Sequence, residues 1–399
     1  FEVFIYSACS PILHDNLTGK IRECVDGWVD VNIHSGQDAA SIIARDCIDI
    51  LIDLSGHTAG NRLDVLVHQP APVIATWLGY LGTTGLDTVD FRIVDGYTDP
   101  PGMTETHHTE QLVRLAHSQW CYLPRDDHPA VESLPALRQG GITFGSFNNF
   151  VKICDEALAL WAQLLARVPN SRLLIAAIPV GRSRQRVTEF FTQQGVSPTR
   201  LEFVGRTSFV QYLTNYNRVD IALDSFPYNG ATTTCDALYM GVPVLTLAGQ
   251  HSVARSGVSL MTNIGLPEWV AHSPQEFLDI GARLAADIPA LAQLRAGLRK
   301  RFMASPLGDQ KLFARDFEAV LDEMWRLKGS DSQTALHLPR LRLACESDPG
   351  NSRACYELAV ALVSQGDSQE AVYFLRKALG IHPDFYHAMV LFAEILMAS

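Results

Sequence analysis

The sequence predicts an α/β chain of two Rossmann-like halves followed by an α-helical segment. Three observations carry that reading. Short apolar runs with strand character alternate with helical stretches twice over, from residue 1 to about 123 and again from 142 to about 250. The break between them, 124–141 (PRDDHPAVESLPALRQGG), is rich in Pro, Gly and charge and keeps no sustained period, which marks a linker. Beyond 330 the apolar residues switch to a 34-residue register.

In the first half, FEVFIYSA, CIDILIDL, PVIATWLG and FRIVD are the expected strands. In the second, ITFGSF (142–147), SRLLIAAI (171–178), VDIALDSF (219–226) and VPVLTLAG (242–249) are strands, and DEALALWAQLLARV (155–168) and ATTTCDALYMG (231–241) are helices. Helices dominate from 251 to 327. Two such halves place a ligand cleft at the carboxyl ends of the strands. The expected domains are 1–130, 141–328 and 333–399.

In the last domain Pro349 and Pro383 lie 34 residues apart, as do Ala344 and Ala378. Leu358, Ala359, Ala371, Leu375 and Ala378 fall at the offsets of a tetratricopeptide repeat. A further partial repeat starts at Tyr386, and an array of about three is expected, because a solenoid buries its core only by stacking.

Composition narrows the function. Hydrophobic residues make up 47% and charged residues 19% of 399 residues, with no apolar run long enough to cross a membrane. The net charge of −11 opposes binding to a phosphate backbone. Eight scattered cysteines without a C-x-x-C pair point to a reducing, cytoplasmic compartment. No signal peptide is recognisable, and both ends read as cut.

The stretch YNGATTTCDALYMGVP (228–243) carries the strongest chemical signal. Threonines are poor helix formers, yet three of them open a helix here. At that position backbone N–H groups lack internal partners, so free amides, the helix dipole and the hydroxyls of Thr232, Thr233 and Thr234 suit a phosphate or diphosphate. The same letters also fit a capping box of Thr233 and Asp236 with nothing bound. Asp236 could instead reach a ribose hydroxyl. FGSFNNFVKI (144–153) is a second candidate, in which Asn148 and Asn149 end a strand and Lys152 follows as a point charge for a diphosphate.

In the first half the Gly-rich loops SGHTAGNRL (55–63) and WLGYLGTTG (77–85) follow strands, with His57 a candidate for proton transfer and Arg62 for substrate contact. His107-His108 reads as an exposed turn rather than a metal site. Neither G-x-x-x-x-G-K-[ST] nor G-x-G-x-x-G occurs at a strand-to-helix junction, which argues against a P-loop NTPase and a typical dehydrogenase.

QPAPVIATWLGYLGTTG, DFRIVDGYTDPPG, FGSFNNFVKI, VPNSRLL, DIALDSFPYNGATTTCDALYMGVPVLTLAG and SLMTNIGLPEWVA together resemble the catalytic region of the O-linked N-acetylglucosamine transferase and SPINDLY family, over residues 1 to 327. The resemblance implies a GT-B-like fold and an inverting, metal-independent protein O-glycosyltransferase without cofactor. It implies UDP-N-acetylglucosamine as donor and Ser or Thr of proteins as acceptor, with GDP-fucose, the SPINDLY donor, as the alternative. A non-catalytic repeat scaffold is the third reading.

By the same resemblance, Lys152 meets the donor diphosphate, Thr232 and Thr233 the phosphate-binding helix start, and Asp236 the ribose. Asn149 lies near the nucleotide, Leu78 and Gly79 near the sugar. Three departures stand out: Ala231 replaces a His before the threonines, Leu81 a Pro, and Phe209 and Tyr212 a Lys and a His at the nucleotide. The family's first strand and His-containing loop would precede FEVFIYSA. The first half is therefore expected to lack its initial strand, and the chain alone to bind nucleotide weakly and transfer no sugar. Protein or peptide acceptors, recruited by the repeats, are the expected partners, with no nucleic acid and no membrane.

Overall fold

The computed structural model describes residues 1–125, 127–328, 338, 341–342, 344–346 and 348–398. Its described strands form three sheets. β1 (Phe4–Ser7) pairs with β2 (Gly27–Asp30); β3 (Ile50–Asp53), β4 (Val73–Trp77), β5 (Phe91–Asp95) and β6 (Gln111–Leu115) run in that order. The third sheet has the order β12-β11-β10-β7-β8-β9, built from β7 (Thr143–Ser146), β8 (Arg172–Ile175), β9 (Leu201–Phe203), β10 (Ile221–Leu223), β11 (Val244–Leu247) and β12 (Val270–Ala271). Pairing is parallel at β1–β2, β3–β4, β4–β5 and throughout the six-stranded sheet. The chain forms two compact units, one of 1–93, 107–113 and 319–399, the other of 94–106 and 114–318.

In the first unit the anticipated strands form. β2, from GWVD, was not anticipated, because its four residues are all half-buried and carry no alternation to read. Behind it the helix Gly36–Arg45 starts where Ser35 accepts from the Asp38 amide, and Ala39, Ala40 and Ile43 join Val31 and Val65 in a small core. The helices Ser352–Ser364 and Ser368–Ile381 form the hairpin expected from the 34-residue register, followed by Tyr386–Ala398. Ala354, Leu358, Ala359, Ala371, Leu375 and Ala378 are its buried seam, which Cys47 also joins. The expected start of this segment at 333 lies outside the described residues.

In the second unit β7, at the centre of the sheet, carries Phe144 with no exposure, and the helix Asp155–Arg167 lays seven buried residues on the core. β9 and β12 are too short to leave a sequence period. The linker reading of 124–141 needs correction. Leu134 and Ala136 are buried, the Ala136 amide donates to Asp220 Oδ1 at 2.9 Å, and the Thr143 amide to Oδ2 at 2.7 Å. Charge and proline disguise a segment held by these hydrogen bonds and by buried Leu134 and Ala136, which set up no apolar period.

Arg295 supplies the other clamp. It is 1% exposed and donates to the carbonyls of Glu132, Val219 and Tyr216 and to Asn217 Oδ1. Truncation would remove a donor from all four acceptors, although Tyr216 O and Asn217 Oδ1 also accept from the amides of Val219 and Glu132. Arg295→Ala is expected to lower unfolding free energy by about 3–5 kcal/mol, read from the urea midpoint, and a loss below about 1 kcal/mol would refute this role for the side chain.

Candidate functional site

β7 and β10 are neighbours, with Ile221 opposite Phe144, so the loops at their carboxyl ends meet. One loop carries Asn148, Asn149 and Lys152, the other Asp224 and the turn into the helix Thr232–Tyr239.

Asp224 sits at the junction, 2% exposed. Its Oδ1 accepts from Asn148 Nδ2 at 3.1 Å and from the Gly230 amide at 2.7 Å, and its Oδ2 from Thr246 Oγ1 at 2.8 Å. Asn148 Oδ1 in turn accepts from Thr233 Oγ1 at 2.5 Å. Gly230 is required at this point, because a Cβ there would lie 2.3 Å from both Asn148 Oδ1 and Thr233 Oγ1.

Lys152 closes the arrangement. It belongs to the 3-10 turn Phe150–Lys152, whose N-cap Asn149 accepts from the Val151 amide at 3.4 Å. Its Nζ donates to the Asn229 carbonyl at 3.1 Å and lies 3.9 Å from the centre of the Tyr228 ring. Burial lowers its pKa, and the carboxylate of Asp224 works against that shift. Asn229 is itself pinned, its amide to Val253 O and its Nδ2 to Ser225 O.

The helix begins with Ala231 at the N-cap and no side-chain cap bond, so the first-turn amides have no helix-internal acceptor. Thr232 is exposed, Thr233 half-buried and Thr234 buried, with Thr234 Oγ1 donating back to Gly230 O at 3.1 Å. The capping-box reading fails on this geometry. Thr233 is the second helical residue and bonds Asn148, while Asp236 faces a different wall.

That wall is made of tyrosines. Asp236 is 4% exposed; Tyr122 hydroxyl lies 2.6 Å from its Oδ1 and Tyr212 hydroxyl 2.9 Å from its Oδ2. Burial raises its pKa and the two hydroxyls partly offset the rise. Each carboxylate oxygen thus already accepts one hydrogen bond.

The structure therefore brings Lys152, Asn149, Thr232 and Thr233 to the ends of two adjacent strands and leaves Asp236 behind them. Of the two asparagines that the sequence places at the strand end, Asn149 is exposed and caps the turn, while Asn148 is buried and bonds Asp224 and Thr233. Sequence reading passed over Asp224, although an Asp ending the apolar run DIALD was a legible signal.

His57, Leu78 and Gly79 lie in the first unit. Their two loops pack together: a Cβ on Gly79 would meet Leu54 O at 2.1 Å, and Leu78 takes a positive φ of 68°. His57 Nε2 lies 3.2 Å from Thr83 O, and since a carbonyl only accepts, Nε2 carries the proton and Nδ1 is left as the basic nitrogen. Arg62 is structural, donating to Val31 O, His34 O and Asp64. His107 is exposed as expected, whereas the His108 side chain is buried 3.9 Å from Glu110, which the letters THHTE do not betray.

Parallel α/β units with an uncapped helix start at the strand ends make a fold of GT-B type, shared with a glycosyltransferase of Rickettsia africae (TM-score 0.50, 11% identity, 81% of this chain and 90% of that one). The chain belongs to glycosyl transferase family 41, whose family model matches residues 1–123 and 130–317.

Among its relatives are proteins named probable UDP-N-acetylglucosamine–peptide N-acetylglucosaminyltransferase. The SPINDLY protein of Petunia hybrida is 40% identical over 82% of this chain and 35% of its own length, and the SEC protein of Arabidopsis thaliana 30% identical over 83% and 35%. A solved O-GlcNAc transferase variant of Thermobaculum terrenum superposes with a TM-score of 0.76 at 35% identity, covering 84% of this chain and 63% of that one. The chain spans about a third of the length of these curated relatives.

Asp224 yields a pH test. Burial raises its pKa to about 6 from an ordinary 3.8. The folded state then holds the proton more tightly than the unfolded one, so this group's stabilisation is full below about 3.8 and is lost as pH rises through about 6. Between these limits the wild type is expected to lose about 3 kcal/mol relative to Asp224→Asn, in urea titrations of both proteins. Parallel pH profiles would show that Asp224 is not the group responsible.

Proposed function

We propose that this chain is the sugar-transferring part of an inverting, metal-independent protein O-glycosyltransferase that moves N-acetylglucosamine from UDP-N-acetylglucosamine to Ser or Thr hydroxyls. The observation that carries the reading is the convergence of the Lys152 ammonium with the uncapped start of helix Thr232–Tyr239, through the Asn229 carbonyl. In such a transfer the bond from the sugar anomeric carbon to the diphosphate breaks as the acceptor oxygen attacks the opposite face. Negative charge collects on the departing diphosphate. Lys152, the amides of Thr232 and Thr233 and the exposed Thr232 hydroxyl are fixed donors for that charge and need no reorganisation when it appears. The names of the relatives, peptide N-acetylglucosaminyltransferases acting from UDP-N-acetylglucosamine, support both the protein acceptor and the donor.

GDP-fucose is the alternative donor, since Lys152 and the helix start at Thr232 and Thr233 serve the diphosphate of either nucleotide equally. His57, Leu78 and Gly79 are the first unit's candidates, His57 for proton transfer through Nδ1, and the helical hairpin is the proposed recruiter of acceptor proteins in a cytoplasmic setting.

Lys152→Ala in the full-length protein is expected to reduce kcat by about 10²–10³ with the fold unchanged by circular dichroism. Retention of about a third of wild-type turnover would remove Lys152 from the reaction. Competition between the two donors at equal concentration, read by the intact mass of an acceptor, tests the sugar. A gain of N-acetylhexosamine is expected, a gain of deoxyhexose overturns the donor, and no gain with either favours a repeat scaffold.

A further inference from the structure

Behind the helix start, five side chains form an unbroken run of polar contacts between two backbone carbonyls. His128 Nδ1 lies 2.7 Å from Arg125 O, and His128 Nε2 lies 3.0 Å from the Tyr122 hydroxyl. Tyr122 then meets Asp236 Oδ1 at 2.6 Å, and Asp236 Oδ2 meets the Tyr212 hydroxyl at 2.9 Å. Tyr212 lies 2.9 Å from the Tyr216 hydroxyl, which reaches Thr233 O at 3.0 Å. That is six contacts, each needing one hydrogen.

Counting the hydrogens gives an unexpected result. Both end carbonyls can only accept, so His128 must carry a proton on Nδ1 and Tyr216 must spend its own on Thr233. A neutral imidazole, three phenols and an ionised carboxylate supply four protons for the six contacts. His128 Nε2 would then be bare, and Tyr122 cannot give its one hydrogen to both Nε2 and Asp236. One added proton, as a second ring proton on His128 or on the Asp236 carboxyl, fills a fifth contact; two fill all six.

The surroundings offer no rival cation to do the same work. Among the described residues near the run, Arg299 donates to Pro129 O and lies over the Tyr239 ring, while Arg125 pairs with Asp127 and lies over Phe209. Cys121 and Cys235 stand nearby as thiols whose pKa burial raises, and burial likewise pushes up the tyrosine hydroxyls. Asp236 lies one turn inside the helix whose amino end faces the diphosphate in the proposed function. A bare carboxylate there would offset the positive potential that the helix start presents and repel the anion.

We propose that the run His128, Tyr122, Asp236, Tyr212 and Tyr216 holds at least one proton beyond the four, and that this proton cancels the Asp236 charge behind the diphosphate-binding helix start. The first half stands on contacts alone; the second rests on the proposed function. Tyr122, Tyr212 and Tyr216 are positioning residues in this scheme, since Tyr216 also fixes the Thr233 carbonyl at the helix start. The proton is held below the apparent pKa of the run and lost above it, so donor affinity falls as pH rises.

The proton is read directly in the ligand-free full chain, from the ring ¹⁵N shifts of His128 and the ¹³C shift of the Asp236 carboxyl. At about one pH unit above the ordinary imidazole value of about 6.5, either a doubly protonated ring or a protonated carboxyl is expected. A singly protonated ring beside an ionised carboxyl there overturns the proposal. Tyr122→Phe keeps the ring that packs on Phe302 and removes the link, and should move the midpoint of the run by about one unit, downward where the His128 ring holds the proton and upward where the Asp236 carboxyl holds it; an unmoved midpoint also overturns it.

For the coupling, UDP-N-acetylglucosamine and GDP-fucose are titrated calorimetrically from about pH 7 to 9.5, where their phosphate charges are constant. Wild-type affinity for the bound donor should fall about fivefold to tenfold, and that of Asp236→Asn by less than about twofold. Lys152 titrates in both proteins, so the difference isolates the run. Equal profiles overturn the coupling. Failure of both donors to bind at any pH would count against the proposed function and, with it, the coupling, while the shifts still decide the proton.

Discussion

The carboxylate of Asp224 is the constraint on which the rest of the site depends. A buried charge of this kind is tolerated only when its oxygens are filled, and Asp224 fills them from three directions: the loop after β7, the turn before the helix, and β11. Each bond fixes a different piece of chain. Asn148 is held with its amide nitrogen toward Asp224, which points its oxygen at Thr233. Gly230 is drawn in so closely that a side chain would not fit. The position of the helix start is therefore set by a residue that never faces solvent.

Lys152 answers that carboxylate from the other side. Burial opposes its charge and Asp224 favours it, and the two effects act on the same ammonium. Lys152 donates to a backbone carbonyl and forms no direct ion pair among the described residues, so it is located without being neutralised. An Arg would bring a planar fork in place of a compact charge, and the Tyr228 face and Asn229 carbonyl accommodate a point donor.

What the sequence disclosed follows from what kind of signal each feature leaves. Strands with four or five apolar residues and the 34-residue helical register were legible, because burial of a face imposes a period on the letters. β9, β12 and the anchored segment 124–141 were not, because two-residue or three-residue strands and backbone-to-Asp220 bonds impose none. At the site, YNGATTT announced a helix start because its threonines and Asn-Gly break local propensity. The choice of Asn148 over Asn149 could not be read, since which of two adjacent asparagines turns inward depends on a partner 76 residues away. Asp236 carried the right chemistry for a cap and makes none, because it bonds Tyr122, 114 residues distant, and Tyr212 instead.

Ala231 shows how this helix differs from one built for stability. Ser35, Ser208, Ser273 and Asp287 each accept from an amide of the helix they open, the ordinary solution for unpaired first-turn donors. Helix Thr232–Tyr239 has only eight residues, begins with three β-branched ones, and places at its N-cap a side chain that can accept nothing. Relative to Ser or Asp, such a cap costs about 0.5–2 kcal/mol. Thr233 could have offered its hydroxyl to the amides and gives it to Asn148 instead; Thr234 turns its own back to Gly230. The local rules are thus broken together at one helix end, while the flanking residues are fully hydrogen-bonded. Stability withheld at a single place, inside a network that could have supplied it, is what a surface kept free for an anionic ligand requires.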